Sequence, residues 1–244
     1  MPEDIAKLKY SLGYSFRDIS ILREALTHRS YAAENNLKYD NQRLEFLGDA
    51  VLEIVLTEHL FRLYPEADEG LMTKMRSALV RQDSLAQIAR KLHFGDFLIT
   101  GKGELESGGN QRESTLADLF EAILGAFYLD GGFEPVRTFL IKQFTEEFPE
   151  PVSMLTHINP KGILQEYSQR KWNCAPIYTV LNISGPEHNP CFQVQVSVGG
   201  IVALGNAHNR RQAESQAARE AINILSEKDP AINHVKSNRE LLER

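Results

Sequence analysis

Residues 41–52 have the sequence NQRLEFLGDAVL, which indicates a helical fold for the first part of the chain. Two acids in this run, Glu45 and Asp49, stand four residues apart between flanks that are almost entirely apolar. This spacing places both carboxylates on one face of a helix, which we predict over residues 44–63. Two acids in an apolar run are unfavourable unless a cation compensates for desolvation and mutual repulsion. The run therefore predicts a charged site beside a helical core.

A second acid pair follows about seventy residues later. Asp118 and Glu121 are three residues apart in another apolar segment, and they share a face of the helix predicted over residues 116–129. Four carboxylates on two helices would form an oxygen-only ligand set that suits Mg²⁺ or Mn²⁺ rather than Zn²⁺. Carboxylates grouped around Mg²⁺ are typical of phosphodiester hydrolysis. The alternative is that each acid faces solvent on an amphipathic helix, since spacing alone does not show that the helices meet.

The remaining segments of the first 150 residues also favour helices. Apolar residues recur at helical spacing from Leu71 to Leu92, which predicts one long helix. The hydroxyls of Ser114 and Thr115 are expected to start the helix that carries the second acid pair, and glycines at 131–132 to end it. We therefore predict an all-helical domain over residues 1–150.

A different pattern begins after a proline-punctuated segment, which predicts a linker over residues 151–157. Asn159-Pro160 is a typical helix start. Residues 177–184 are β-branched and aromatic, and residues 191–198 alternate as strands do. A Gly199-Gly200 turn then leads into a third strand at residues 201–204. A final helix is predicted from Asn209. The order α-β-β-β-α predicts an α+β domain over residues 158–226, followed by a polar tail over 227–244.

Composition narrows the class of protein. The chain has 244 residues, 42% of them hydrophobic and 25% charged, which is typical of a folded protein. Its longest apolar run is far shorter than the ~20 residues that span a bilayer. The N-terminus has no signal-peptide pattern and two cysteines make no disulfide framework, so we expect a cytoplasmic protein. Residues 1–150 carry 17 basic and 25 acidic residues, whereas 151–244 carry 10 and 8.

Several motifs together resemble bacterial ribonuclease III, an Mg²⁺-dependent endonuclease for double-stranded RNA. Besides NQRLEFLGDAVL they are, in the family's order, ALTHRS at 25–30, DEG at 68–70, LVR at 79–81, GKGE at 101–104, SGG at 107–109 and DLFEA at 118–122. The similarity covers roughly residues 5–226. One departure is Gln42, where many members of the family have glutamate. The resemblance implies a multidomain chain, with an all-α endonuclease domain followed by an α-β-β-β-α double-stranded RNA-binding domain.

The resemblance also implies roles for the acids. Glu45, Asp118 and Glu121 match the family's Mg²⁺ ligands, with Mn²⁺ as an alternative ion, and Asp49 and Glu121 match its catalytic acids. Glu69 matches an accessory acidic position, although an acid in the first turn of a helix explains it equally well.

The family's activity supplies the remaining expectations. Products would have 5′-phosphate and 3′-hydroxyl ends with short 3′ overhangs. The enzyme would be a homodimer, and its substrates would be ribosomal RNA precursors together with some mRNA and tRNA precursors.

The second domain is similar to the double-stranded RNA-binding domain, which recognises the shape of an A-form duplex. By that similarity Gln165 and Glu166 would contact one minor groove and His188 the next. Arg210 and Arg211, where the family usually has lysines, would bind phosphates across the major groove between them.

Two alternatives remain at this point. A catalytically inactive relative would bind double-stranded RNA or act as a ribonucleoprotein scaffold, but such a protein is expected to have lost one of the four acids. His28 could serve as a general base, but the absence of a second histidine at helical spacing favours a hydrogen-bonded structural role.

Overall fold

A computed structural model describes residues 8–186 and 188–228, except for the side chains of residues 156–158 and 228. The described chain divides between Pro149 and Glu150 into two units. No helix among the described residues is long and apolar enough to cross a membrane.

Every named element of the first unit, within the described residues, is a helix. Residues 8–12 are helical. The α-helices that follow are α1 (Ile19–Ala25), α2 (Arg29–Glu34), α3 (Gln42–Leu63), α4 (Glu69–Leu79), α5 (Gln82–Lys91), α6 (Lys102–Glu106), α7 (Glu113–Gly131) and α8 (Phe133–Glu147). Two short 3₁₀ helices lie at Phe94–Phe97 and Gly109–Gln111. The all-helical prediction is therefore confirmed for the described part of this unit.

The centre of the first unit is the packing of α3 against α7. Both helices bury apolar side chains completely, among them Leu52 and Leu56 of α3 and Phe120 and Leu124 of α7. Burial of a large apolar side chain contributes about 1.5–3 kcal/mol, so this pair of helices forms the main support of the unit.

Two predicted helix boundaries are wrong. The segment from Leu71 to Leu92 is two helices, because Arg81 has an extended backbone with ψ 146° and separates α4 from α5. The Arg81 guanidinium pairs with both carboxylate oxygens of Asp83 at 3.0 Å, and Ser84 Oγ donates to the Ala78 carbonyl, which stabilises the break. Helix α7 begins at Glu113 after an extended Arg112, so Ser114 and Thr115 lie inside the helix and do not cap it.

The second unit has two helices on its N-terminal side, a sheet and a final helix. The elements are α9 (Pro151–Ile158), α10 (Pro160–Trp172), β1 (Ile177–Ser184), β2 (Cys191–Val198), β3 (Ile201–Ala207) and α11 (Arg210–Lys228). The strands form an antiparallel sheet in the order β1-β2-β3, with a bulge between Val180 and Asn182. Gly199 and Gly200 have φ values of 55° and 77°, as the two-residue turn requires.

The core of the second unit confirms the α-β-β-β-α order. Leu164 of α10 and the alanine face of α11 pack on the sheet beside Val196 and Val198, with Cys174 partly buried against them. Both cysteines are free. Asn159 caps α10, because its side chain accepts a hydrogen bond from Gly162 N at 3.1 Å.

Three details of the second unit differ from prediction. Residues 151–157, predicted as a linker, lie within helix α9, because Pro151 occupies its first turn, where a missing N–H does no harm. Asn209 precedes the last helix and caps it by accepting from Gln212 N, so the helix begins at Arg210. Glu227 and Lys228 of the predicted tail belong to α11, and residues 229–244 lie outside the described residues.

Candidate functional site

Two glycines bring α3 and α7 into backbone contact. A Cβ atom on Gly48 would lie 1.8 Å from the carbonyl oxygen of Glu121, and a Cβ on Gly125 would lie 2.1 Å from the carbonyl oxygen of Leu44. Any larger residue at either position would force the helices apart. Because glycine has no side chain, Gly48 and Gly125 set the point at which the two helices cross.

The four predicted acids lie beside this crossing. Asp49 follows Gly48 directly and Glu45 lies one turn earlier, while Glu121 lies one turn before Gly125. Asp118, one turn before Glu121, shares its face of α7. Glu45, Asp118 and Glu121 are partly buried and Asp49 is exposed.

Burial and mutual repulsion both act on Glu121. Desolvation, followed by the charges of Asp49, Glu45 and Asp118 in that order, raises its pKa from the ordinary 4.5 to about 8. A group repelled by three neighbouring carboxylates must lie close to all of them. The carboxylates on α3 and those on α7 therefore lie within electrostatic range of one another.

The other three acids have pKa values shifted in the same direction. Desolvation raises the pKa of Glu45, and the charges of Asp118, Asp40 and Asp49 add to it. Desolvation also raises the pKa of Asp49, with a contribution from the Glu53 charge. The pKa of Asp118 is raised by desolvation and lowered by the charge of His28.

No lysine or arginine within residues 8–186 and 188–228 forms an ion pair with these four acids. In the same residues no three His, Cys, Asp or Glu side chains are close enough to enclose a metal ion as they stand. The donor chemistry nevertheless fits a hard divalent cation, because the set consists only of carboxylates whose repulsion such an ion would relieve. Side-chain rotation would have to complete the ligand set.

Sequence reasoning missed two further acids near the site. Asp40 contributes to the pKa of Glu45, and its carboxylate accepts from the backbone N–H of Gln42 at 3.1 Å. Glu53, one turn after Asp49 on α3, acts on that residue. The i,i+4 spacing of Asp49 and Glu53 was available as a signal, whereas Asp40 lies before the helix and gave none.

His28 is held by hydrogen bonds. Its Nδ1 atom lies 2.8 Å from Ser30 Oγ and accepts from Ser30 N, and Ser30 Oγ in turn accepts from Gly101 N at 2.9 Å. The ring is therefore fixed at the start of α2, which agrees with a structural role for this histidine.

Glu69 interacts with residues other than the four acids. It is the first residue of α4, it is exposed, and its carboxylate accepts from Thr73 Oγ1 at 3.0 Å. Together with Phe61 and Arg76 it lines a cavity of about 280 Å³ between α3 and α4. Its accessory role stays a prediction.

The predicted contacts on α10 are exposed on one helix face. Gln165 and Glu166 line a shallow depression of about 530 Å³ together with Gly162, Gln169 and Arg170. Gln169 and Arg170 are additional candidates that the sequence did not single out, although their i,i+4 spacing from Gln165 and Glu166 places them on the same side.

The other predicted contacts lie at the ends of the sheet and of α11. His188 is exposed in the loop between β1 and β2, where Asn189 N donates to the Pro186 carbonyl. Arg210 and Arg211 are exposed in the first turn of α11. The free N–H groups and the dipole of a helix N-terminus favour anions at this position.

Comparison with known proteins gives a family match for each unit. Residues 18–148 match the family described as Ribonuclease-III-like, and residues 160–225 match the Double-stranded RNA binding motif. A Ribonuclease 3 from Listeria monocytogenes is 42% identical over 224 residues, which are 90% of this chain and 97% of that protein. A Ribonuclease 3 from Vibrio atlanticus is 41% identical over 228 residues, 93% and 99% of the two chains.

A solved structure agrees with these matches. The nuclease domain of ribonuclease III from Campylobacter jejuni superposes with a TM-score of 0.57 at 43% identity. The match covers 60% of this chain and 99% of the Campylobacter jejuni chain.

Proposed function

The chain belongs to the ribonuclease III family and is a double-stranded RNA endoribonuclease, and we propose that it hydrolyses RNA with Mg²⁺ held by Glu45, Asp118 and Glu121. The observation that carries this proposal is the mutual repulsion of carboxylates on both helices beside the crossing of α3 and α7. Three of them are partly buried, and their mutual repulsion has no compensating lysine or arginine among the described residues. A divalent cation is the partner that this charge distribution favours.

We assign roles to the four acids from their exposure and their interactions. Bound Mg²⁺ would supply an activated water and offset charge on the phosphoryl and departing oxygens, and Mn²⁺ could replace it. Asp49 is the exposed member of the set, so its carboxylate can accept a hydrogen bond from the attacking water. Glu121 is the acid on which all three others act, so we assign it both to metal binding and to catalysis.

We further propose that the active form is a homodimer. Three large apolar side chains on one face of α3 are exposed, namely Phe46 at 81%, Ile54 at 58% and Phe61 at 67%. Their positions span less than a quarter of the helix circumference, so a second copy could cover all three. The Campylobacter relative has a region involved in dimer formation. Glu45 and Asp49 lie on the same helix, so a dimer would bring two acid sites near one interface.

The products and substrates follow from family membership as proposals. Hydrolysis on both strands by two sites would leave 5′-phosphate and 3′-hydroxyl ends with short 3′ overhangs. Ribosomal RNA precursors are the main proposed substrates, with some mRNA and tRNA precursors, and the activity would then lie in the cytoplasm.

A cleavage assay tests the proposal. The full chain is incubated with a long RNA duplex and with the corresponding single strand, each with Mg²⁺ or with EDTA, and the products are sized and their ends analysed. We expect cutting of the duplex only in Mg²⁺. Glu121→Gln is expected to abolish cleavage while duplex binding persists, and Glu106→Gln, an exposed acid of α6, serves as the matched control. A Glu121→Gln enzyme that cuts at the wild-type rate would refute the metal assignment, and binding without cleavage by the wild type would indicate a scaffold.

A further inference from the structure

Glu214 of α11 pairs with two cations, Lys161 on α10 and Arg210 on its own helix. Its carboxylate accepts from Lys161 Nζ at 2.5 Å and from Arg210 Nε at 2.8 Å, and the residue itself is only 8% exposed. Lys161 is the second residue of α10, and Arg210 is the first residue of α11. A buried carboxylate with two charge-assisted hydrogen bonds holds both partners in defined positions.

Lys161 is also fixed from a second side. Its Nζ atom lies 4.7 Å from the centroid of the Tyr178 ring on β1, a cation–π distance. Burial, together with the charge of Glu214, raises the pKa of Tyr178 to about 12, so the ring stays neutral. Lysine side chains on protein surfaces are usually mobile, and this one is held by a ring and a carboxylate.

Lys161, Arg210 and Glu214 together keep a net positive charge, and the two cations keep hydrogen-bond donors that face solvent. Two cations and one carboxylate sum to +1, which matches the single negative charge of a phosphodiester. The Lys161 and Arg210 side chains remain 38% and 64% exposed. Arg210 uses Nε toward Glu214, so within the described residues both of its terminal Nη atoms are available to a ligand. The N-terminus of α11 adds partial positive charge at the same place.

We infer that Glu214 is a positioning residue that holds Lys161 and Arg210 together as one phosphate-binding unit, so that Lys161 is an additional contact to the RNA backbone. This inference rests on the binding of double-stranded RNA by the second unit. It assigns to α10 a phosphate contact by Lys161, in addition to the groove contacts proposed for Gln165 and Glu166. The competing explanation is that the three charges only fasten α10 to α11.

Salt dependence separates the two explanations. Each phosphate contact by a cation contributes about 0.9 to the slope of log K against log salt concentration in a duplex. The full chain is titrated with a short RNA duplex in EDTA over a range of KCl, for wild type, Lys161→Gln and Lys161→Arg. We expect Lys161→Gln to make the slope shallower by about one and Lys161→Arg to restore it.

Lys171→Gln is the matched control, because Lys171 lies at the other end of α10 and its Nζ atom is 5.5 Å from the Tyr167 ring centroid. Its slope should equal that of wild type. Thermal unfolding is measured for each variant. A Lys161→Gln protein with a lower Tm and an unchanged slope would show that Lys161 only fastens the helices, and equal slope changes in both glutamine variants would indicate a general charge effect. Either result overturns the inference.

Glu214→Gln gives an independent test with an opposite expectation. The substitution removes a negative charge, so simple electrostatics predicts tighter RNA binding. If Glu214 positions the two cations, binding weakens instead, and a tighter complex would contradict its role. Should this variant fail to fold, the Lys161 variants decide. A wild-type chain that does not bind the duplex would refute the binding assignment itself, which is a separate outcome.

Discussion

Gly48 of α3 lies against the backbone of Glu121 in α7, so closely that a Cβ atom on the glycine would be 1.8 Å from the Glu121 carbonyl oxygen. One contact thus serves two purposes. It allows the central helices to pack closely, and it brings Asp49, the next residue along α3, toward the α7 acids. Folding of the core and assembly of the acid site depend on the same glycine.

The first prediction is that Gly48→Ala damages both stability and activity. Overpacking a core typically costs about 1–3 kcal/mol, and here the added methyl meets backbone atoms, which cannot rotate away. We expect a lower free energy of unfolding in denaturant titrations and a loss of cleavage. Gly103→Ala is the control, because a Cβ at that helical position meets nothing within 4 Å. Equal stability of the two variants would contradict the close-contact explanation.

The second prediction concerns pH in the absence of metal. The pKa of Glu121 is about 8 in the folded chain and near its ordinary 4.5 when unfolded. Between these values the folded state keeps a proton that the unfolded state releases, so stability falls as pH rises through this window. Glu121→Gln should flatten this dependence, and Mg²⁺ should stabilise the wild type at pH 8 more than the variant. Unfolding free energies measured from pH 5 to 8 check this, with Glu106→Gln as control. Parallel pH profiles for wild type and Glu121→Gln would exclude the proposed coupling.

Local pattern was sufficient to predict much of this architecture from the sequence. Helical spacing predicted α3 and placed Glu45 and Asp49 on one face, and strict alternation predicted β2. The Gly199-Gly200 turn followed from the same local rules.

Features that depend on contacts between distant residues were not predictable. The break at Arg81 contains no glycine or proline and depends on its pairing with Asp83. Glu214 and Lys161 are 53 residues apart, so no spacing rule connects them. Apolar periodicity also does not distinguish a core residue from an exposed one, since Phe46 belongs to the apolar run around Glu45 and nevertheless lies on the surface.

The third prediction tests the exposed face of α3. If a second copy covers Phe46, then Phe46→Ser should shift the chain toward monomer, because burying a phenylalanine contributes about 1.5–3 kcal/mol. This corresponds to at least about a tenfold weaker dimer. Sedimentation velocity over a concentration series measures it. Leu105→Ser is the control, since Leu105 of α6 is also exposed but lies on a different helix. A wild type that sediments as a monomer at every concentration would remove the basis for this prediction.

The fourth prediction separates groove contacts from phosphate contacts in the second unit. Arg211 is exposed in the first turn of α11, and Gln165 is exposed on α10 in the depression it shares with Gln169. Arg211→Gln should lower duplex affinity and make the salt slope shallower by about one, because a phosphate contact releases counterions. Gln165→Ala should lower affinity without changing that slope, since it removes a neutral contact.

The same two variants should differ in how they treat RNA and DNA. A contact to 2′-hydroxyl groups distinguishes the two duplexes, whereas a phosphate contact does not. Gln165→Ala is therefore expected to reduce the preference for an RNA duplex over a DNA duplex of the same sequence, and Arg211→Gln to preserve it. Titrations of both duplexes at two salt concentrations supply all the values that are needed. If the two variants change the salt slope and the RNA preference alike, the assignment of α10 to the groove and of α11 to the backbone is wrong.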